Sequence, residues 1–173
     1  MGAAVTDIVL ERMRRRDLRR VMAIEQVVFP EPWSHGVFVS ELSLRKGRAY
    51  RVARIGRETV GYVGLMFVEE EAHVTTVAVA PEYQRQGIGT QIMLGAVRIA
   101  QEEGSRHISL EVAVGNERAQ GIYRRFGFAP VGVRKGYYQL TGEDAYVMWA
   151  YDIDSPAYRE RLERIEAEEA QRA

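Results

Sequence analysis

A chain of 173 residues, 46% apolar and 28% charged with zero formal net charge, has the composition of one domain able to bury a substantial core. Zero net charge removes any case for nucleic-acid binding through a broadly basic surface, and the absence of cysteine excludes a disulfide frame, a thiolate nucleophile and a Cys-based zinc site. No window approaches eighteen apolar residues and the N-terminus lacks the pattern of a signal peptide. The expectation is therefore a cytoplasmic protein without a membrane partner.

Residues 8–13 alternate apolar and polar side chains and predict a first strand. Leu18, Val21, Met22 and Val28 recur at helical spacing and predict a helix over residues 14–29, broken by Pro30-Glu31-Pro32-Trp33. Ser34 is a good N-cap for a second helix, in which Phe38 and Leu42 lie one turn apart. Residues 50–55 and 59–69 predict a hairpin around Gly56-Arg57, and residues 72–79 a fourth strand. Residues 88–103 predict a helix stopped by Gly104, residues 107–114 a fifth strand, and residues 116–126 a short helix closed by Gly127. Residues 128–134 and 145–152 complete the sheet.

The predicted order is β-α-α-β-β-β-α-β-α-β-β. The early strands should meander antiparallel. The fourth and fifth, joined through a full helix, should run parallel with a right-handed crossover. The fold class is a mixed α/β sheet with helices on both faces, over residues 1–153. Residues 154–173 read as a charged helical extension. Tyr158, Leu162 and Ile165 form its thin apolar stripe, and Glu160–Arg164 and Glu168–Arg172 are spaced for i, i+4 ion pairs. Such a helix should dock loosely and fray near its end.

The most informative stretch is Val77-Ala78-Val79-Ala80-Pro81-Glu82-Tyr83-Gln84-Arg85-Gln86-Gly87-Ile88-Gly89-Thr90. A β-branched strand turns at a proline and enters a helix through two glycines. A helix N-terminus offers unpaired N–H groups and partial positive charge, and glycine lets an anion reach the main chain. The expected ligand carries a pyrophosphate. A nucleotide-binding P-loop needs Gly-Lys-Ser/Thr, and Gly89 is followed by Thr90-Gln91. A dinucleotide fingerprint needs a third glycine, and position 92 is Ile.

Gln-x-x-Gly-x-Gly after a Val-Ala-Val strand resembles the coenzyme A loop of the GCN5-related N-acetyltransferases. The resemblance extends over residues 8 to about 152 and is strongest for the RimI-type ribosomal-protein-alanine N-acetyltransferases. Its blocks are Pro32-Trp33-Ser34, then residues 77–90. Next comes Leu110-Glu111-Val112-Ala113-Val114-Gly115-Asn116, leading to Ile122-Tyr123-Arg124-Arg125-Phe126-Gly127-Phe128. The last are Arg134-Lys135-Gly136-Tyr137-Tyr138 and Gly142-Glu143-Asp144-Ala145. It implies acetyl-CoA as cosubstrate, held by Val77, Ala78, Val79, Arg85, Gln86, Gly87, Ile88, Gly89, Thr90 and Asn116. Asn116 is also a good helix cap, and carbonyl and amide can serve both uses.

The implied reaction is attack of an amine on a thioester. The amine must be neutral, the oxyanion stabilised and the leaving thiolate protonated. A peptide α-amine is about a tenth neutral at pH 7, and a lysine ε-amine only about 0.04%. The base therefore supplies roughly 1.4 kcal/mol for the first and about 4.6 for the second. Glu111, mid-strand among apolar residues, is the candidate base. Desolvation should raise its pKa. The alternative is a solvent-facing strand carboxylate. Tyr123 is the candidate acid in the resembling pattern, the alternative being an aromatic core residue. A main-chain N–H of residues 77–79 would serve the oxyanion.

Trp33, Tyr137 and Tyr138 match positions that wall the peptide groove in the resembling enzymes, although core packing also suits them. The chain departs from the pattern in having Ala113 and Gly115 where Arg and Ser are common. The implied acceptor is the N-terminal alanine of a small-subunit ribosomal protein. A broader N-terminal or small-molecule amine acetyltransferase, and a non-catalytic acyl-CoA-binding module, are the alternatives. No metal is expected, because His35, His73 and His107 are scattered and suit surface or turn positions. Oligomeric state is not legible.

Overall fold

The computed structural model describes residues 8–172, so the N-terminal segment read for a signal peptide lies outside the described residues. Seven strands form one sheet in the order β1-β2-β3-β4-β5-β7-β6. They are β1 (Val9–Arg12), β2 (Arg48–Ile55), β3 (Glu58–Val68), β4 (Glu71–Val79), β5 (His107–Ala113), β6 (Ala129–Arg134) and β7 (Ala145–Ala150). The helices are α1 (Leu18–Val28), α2 (His35–Ser43), α3 (Ile88–Glu102), α4 (Glu117–Arg125) and α5 (Pro156–Arg172). This is the expected mixed α/β order, with boundaries differing by at most four residues. Short 3₁₀ turns at Arg15–Asp17 and Pro81–Tyr83 were not expected.

β1 to β4 pair antiparallel, and β4 pairs parallel with β5 through α3, as expected. The chain end departs from simple sequential order, because β7 inserts between β5 and β6. β6 is left as an exposed edge.

One core lies on the α3 side of the sheet, where Ile88, Ile92, Met93, Ala96 and Val97 meet Val63, Leu65, Ile108 and Leu110. The opposite core packs α1 and α2 through Leu18, Val21, Ile24 and Phe38 onto Tyr50, Val52 and Tyr62. α1 and α2 cover only the β2–β4 part of that face, which leaves the same face of β5 and β7 open.

α5 docks more firmly than its thin stripe suggested. Tyr158, Leu162 and Ile165 are all buried in the α3-side core. Full burial of a Leu or Ile side chain contributes about 1.5–3 kcal/mol, which anchors the first half of the helix. The Tyr158 hydroxyl donates to the Phe126 carbonyl at 2.5 Å, joining α5 to the end of α4. Beyond Ile165 the contacts change character. Arg98 pairs with Glu166, and Arg125 with Glu168 and Glu169. The expected Glu168–Arg172 pair is replaced by these cross-helix partners and by Glu169–Arg172.

No helix among the described residues is long and apolar enough to cross a membrane.

Candidate active site

The site begins with an interruption in the sheet. β4 and β5 pair only at Glu71↔His107, Ala72↔Ile108 and His73↔Ser109. β4 then runs on through residues 74–79, and β5 through residues 110–113, without pairing to each other. The cause is visible in the β3–β4 register. Gly64 opposes Thr76 and Leu65 opposes Val74, so Thr75 is an extra residue on β4. Such a bulge bends its strand and reverses the alternation of side chains. Ala72 and Val74 face the α3 side before it, while Val77 and Val79 do so after it. Ala78 and Ala80 then face α1. The result is a wedge between two strands with unspent main-chain groups on its walls. Val77, Ala78 and Val79 line one wall.

At the end of that wall, the 3₁₀ turn delivers the chain to the N-terminus of α3. Arg85 and Gly87 both take left-handed backbone conformations, with φ of 65° and 81°. Gly87 occupies the N-cap position and no side chain caps the helix. Alternating backbone handedness before an uncapped helix makes a concave row of N–H groups suited to an anion. A Cβ at Gly89 would meet Ile122 Cδ1 at 3.4 Å and Val79 Cγ2 at 3.8 Å, so this glycine holds α3, α4 and β4 close. Arg85, Gln86, Gly87, Ile88, Gly89 and Thr90 are thus gathered in one turn. This backbone geometry fits a pyrophosphate.

The other wall carries Glu111. Ile108, Leu110 and Val112 point into the α3-side core, so alternation turns Ser109 and Glu111 to the opposite, open face. Glu111 is 12% exposed. One oxygen lies 2.9 Å from His73 Nε2, the other 3.5 Å from Arg134 Nε. Ser109 Oγ lies 2.9 Å from His73 Nδ1 and so orients the ring.

The expected rise in the Glu111 pKa is corrected by these neighbours. Desolvation does push it up, but the hydrogen bond and charge of His73, with Arg134 beside it, outweigh burial and hold it below the usual carboxylate value. The expectation that the histidines occupy surface or turn positions fails for His73, which sits within β4 as a partner of Glu111. Spacing along the chain could not reveal that pair, since residues 73 and 111 meet only through the parallel register.

α4 supplies the third group. Asn116 caps it, accepting from the Ala119 N–H at 3.2 Å, so its amide nitrogen stays available. Gln120 is buried, and its amide donates to the carbonyls of Ala113 and Val114, both at 3.0 Å. This unexpected tie fixes the helix to the end of β5. One turn on, Tyr123 is 8% exposed, with its ring 5.9 Å from that of Phe128. Burial raises its pKa, with Tyr138 adding to the rise, so it stays a proton donor at neutral pH.

Trp33, Tyr137 and Tyr138 are not brought together equally. Trp33 packs on Phe38 and Tyr50, with ring centroids 5.2 and 6.5 Å away, and its backbone N–H donates to buried Glu25. Tyr137 and Tyr138 meet edge to face at 5.1 Å in the β6–β7 loop, where Arg134 lies over Tyr137. Burial first, then Tyr137, Glu143, Glu111 and Glu31, push the Tyr138 pKa up to about 12. Glu31 accepts from the Leu140 N–H and so ties the α1–α2 loop to this loop across the open face. Among the described residues no cluster of His, Cys, Asp and Glu could hold a metal ion.

The model of the acetyltransferase (GNAT) family matches residues 7–128. The chain belongs to this family. A relative in Bacillus subtilis, named as a putative [ribosomal protein bS18]-alanine N-acetyltransferase, is 38% identical over 83% of this chain and 95% of its own. The N-alpha-acetyltransferase RimI of Mycobacterium tuberculosis is 32% identical over 86% of this chain and 95% of its own. The crystal structure of the ribosomal-protein-S18-alanine N-acetyltransferase from Escherichia coli superposes with a TM-score of 0.77 at 26% identity, covering 84% of this chain and 94% of that one. Membership of the family makes the protein an acetyl-CoA-dependent acetyltransferase.

Proposed function

We propose that this protein acetylates the N-terminal α-amine of a protein, above all the N-terminal alanine of a small-subunit ribosomal protein. The observation that carries the reading is the wedge itself, which sets an uncapped helix N-terminus at the end of one wall and a His-paired carboxylate on the other. The names of the B. subtilis and E. coli relatives support the choice of acceptor.

Acetyl-CoA supplies the activated acetyl group. Arg85 to Thr90 hold its pyrophosphate, and Val77, Ala78, Val79 and Asn116 its pantetheine arm. A main-chain N–H of β4 polarises the acetyl carbonyl. Glu111 accepts the proton of the incoming ammonium, directly or through a water, while His73 and Arg134 keep it ionised for that purpose. Tyr123 gives its proton to the departing thiolate. Tyr137, Tyr138, Glu31 and Trp33 form the acceptor side, where carboxylates favour a cationic N-terminus.

The direct test is release of free thiol from acetyl-CoA with an alanine-initiated peptide, followed by mass spectrometry across a library of N-terminal peptides. Acetylation at the α-amine of alanine-initiated peptides supports the reading. Turnover with small amines alone would replace it.

A further inference from the structure

The distal half of α5 lies against the turn assigned to the pyrophosphate. A Cβ added to Gly87 would come within 2.6 Å of Glu169 Oε2. The Glu169 side chain is only 8% exposed, although the residues around it on α5 are solvated. Its other oxygen, Oε1, accepts from Arg125 Nη1 at 2.9 Å. That same guanidinium nitrogen lies 3.4 Å from Thr90 Oγ1, in the first turn of α3. An anion, an arginine and an uncapped helix N-terminus therefore already meet in this corner, with a carboxylate as the anion.

We infer that Arg125 is a phosphate ligand for acetyl-CoA masked by Glu169, and that the end of α5 is an acidic strap competing with the cofactor's pyrophosphate for the turn at Gly87. This rests on the assignment of residues 85–90 to the pyrophosphate.

Two features of α5 suit a strap. Its first half is anchored by buried Tyr158, Leu162 and Ile165, so it stays in place when the end lifts. Its last turns are held through ion pairs of Glu166, Glu168 and Glu169 with Arg98 and Arg125. The Glu166 and Glu168 carboxylates are solvated and their pairs contribute little, so the sheltered Arg125–Glu169 pair is the one the cofactor's phosphate must replace. Arg125 spreads its two Nη groups over Glu169 and Glu168, and a pyrophosphate, with two adjacent anionic phosphoryl groups, can satisfy both at once. Entry of the cofactor exchanges one anion for another at one arginine, and the freed carboxylate moves to solvent.

The test is calorimetry with acetyl-CoA and with acetyl-pantetheine, which lacks the pyrophosphate and the 3′-phosphoadenosine beyond it. Glu169→Gln should tighten acetyl-CoA binding about fivefold or more and leave acetyl-pantetheine unchanged. In that background Arg125→Gln should weaken acetyl-CoA by a similar factor. In the unaltered protein, hydrogen exchange should show residues 166–172 losing protection as acetyl-CoA saturates, while the first turn of α3 gains it. Pyrophosphate-dependent binding that Glu169→Gln leaves unchanged or weakens, or α5 amides equally protected with cofactor bound, would overturn the strap alone. If acetyl-pantetheine binds as tightly as acetyl-CoA, the assignment of the turn fails, and the strap with it.

Discussion

His73 Nε2 lies 2.9 Å from Glu111 Oε2, across the last rung that joins β4 to β5. The pair closes the narrow end of the wedge and lowers the pKa of the candidate base. Burial alone would protonate Glu111 more readily, while His73 and Arg134 reverse the sign.

The pH dependence follows from that sign. A carboxylate whose folded pKa is depressed stays ionised throughout the neutral range, and its contribution to stability is present above its unfolded pKa and lost as pH falls through the folded value. The rise of rate between pH 7 and 9 should therefore track the acceptor amine, not Glu111. His73→Ala removes the largest lowering influence, so desolvation should dominate and shift the acid limb of kcat/KM upward. An unmoved acid limb would separate His73 from the base. Glu111→Gln should lower the rate at pH 7 and recover part of it as the amine deprotonates. A defect constant from pH 7 to 9.5 would leave Glu111 a positioning residue.

Tyr123→Phe removes one hydroxyl from a buried, well-packed ring. Acetyl-CoA affinity and folding should persist, while turnover drops about 10²–10⁴-fold, the usual cost of a lost general acid. A variant retaining more than half its turnover would make Tyr123 a packing residue.

Gly87→Val forces a β-branched residue into a left-handed conformation and brings its side chain onto Glu169. Acetyl-CoA affinity should fall more than about tenfold in a domain that still melts cooperatively. Unchanged affinity by calorimetry would remove the turn from the cofactor site.

Two glycines should respond in opposite directions to alanine. Gly121 lies inside α4, and a Cβ added there would meet nothing within 4 Å, so Gly121→Ala should stabilise by about 0.5–1 kcal/mol. Gly64, beside the β4 bulge, leaves no room because a Cβ would overlap the Tyr50 ring. Gly64→Ala should lower the melting temperature and disturb the hydroxyl contact between Tyr50 and Thr75. Equal effects in thermal melts would contradict this account of the bulge.

The element order was legible because local signals agreed: alternation in the strands, Ser34 and Asn116 as caps, and Gly104 and Gly127 as stops. The turn at residues 85–90 was legible for the same reason, since its chemistry is contiguous. What the chain hid is non-local. The Thr75 bulge is a mismatch between two strands and exists only in their register. His73 meets Glu111 through a parallel rung, so no spacing rule exposes it. Gln120 reads as a polar helix residue until β5 supplies the carbonyls it binds. Glu169 reads as one more residue of a charged helical extension until α5 is laid against α3 and α4.

The account stands or falls on acceptor choice. Acetylation rates at pH 7 should be measured for an alanine-initiated peptide and for the same peptide with its N-terminus blocked and one internal lysine. With the proposed base Glu111 held at a depressed pKa and so able to contribute little base strength, the difference in neutral amine alone should favour the α-amine by more than about 100-fold. Comparable rates for the two peptides would contradict the N-terminal assignment.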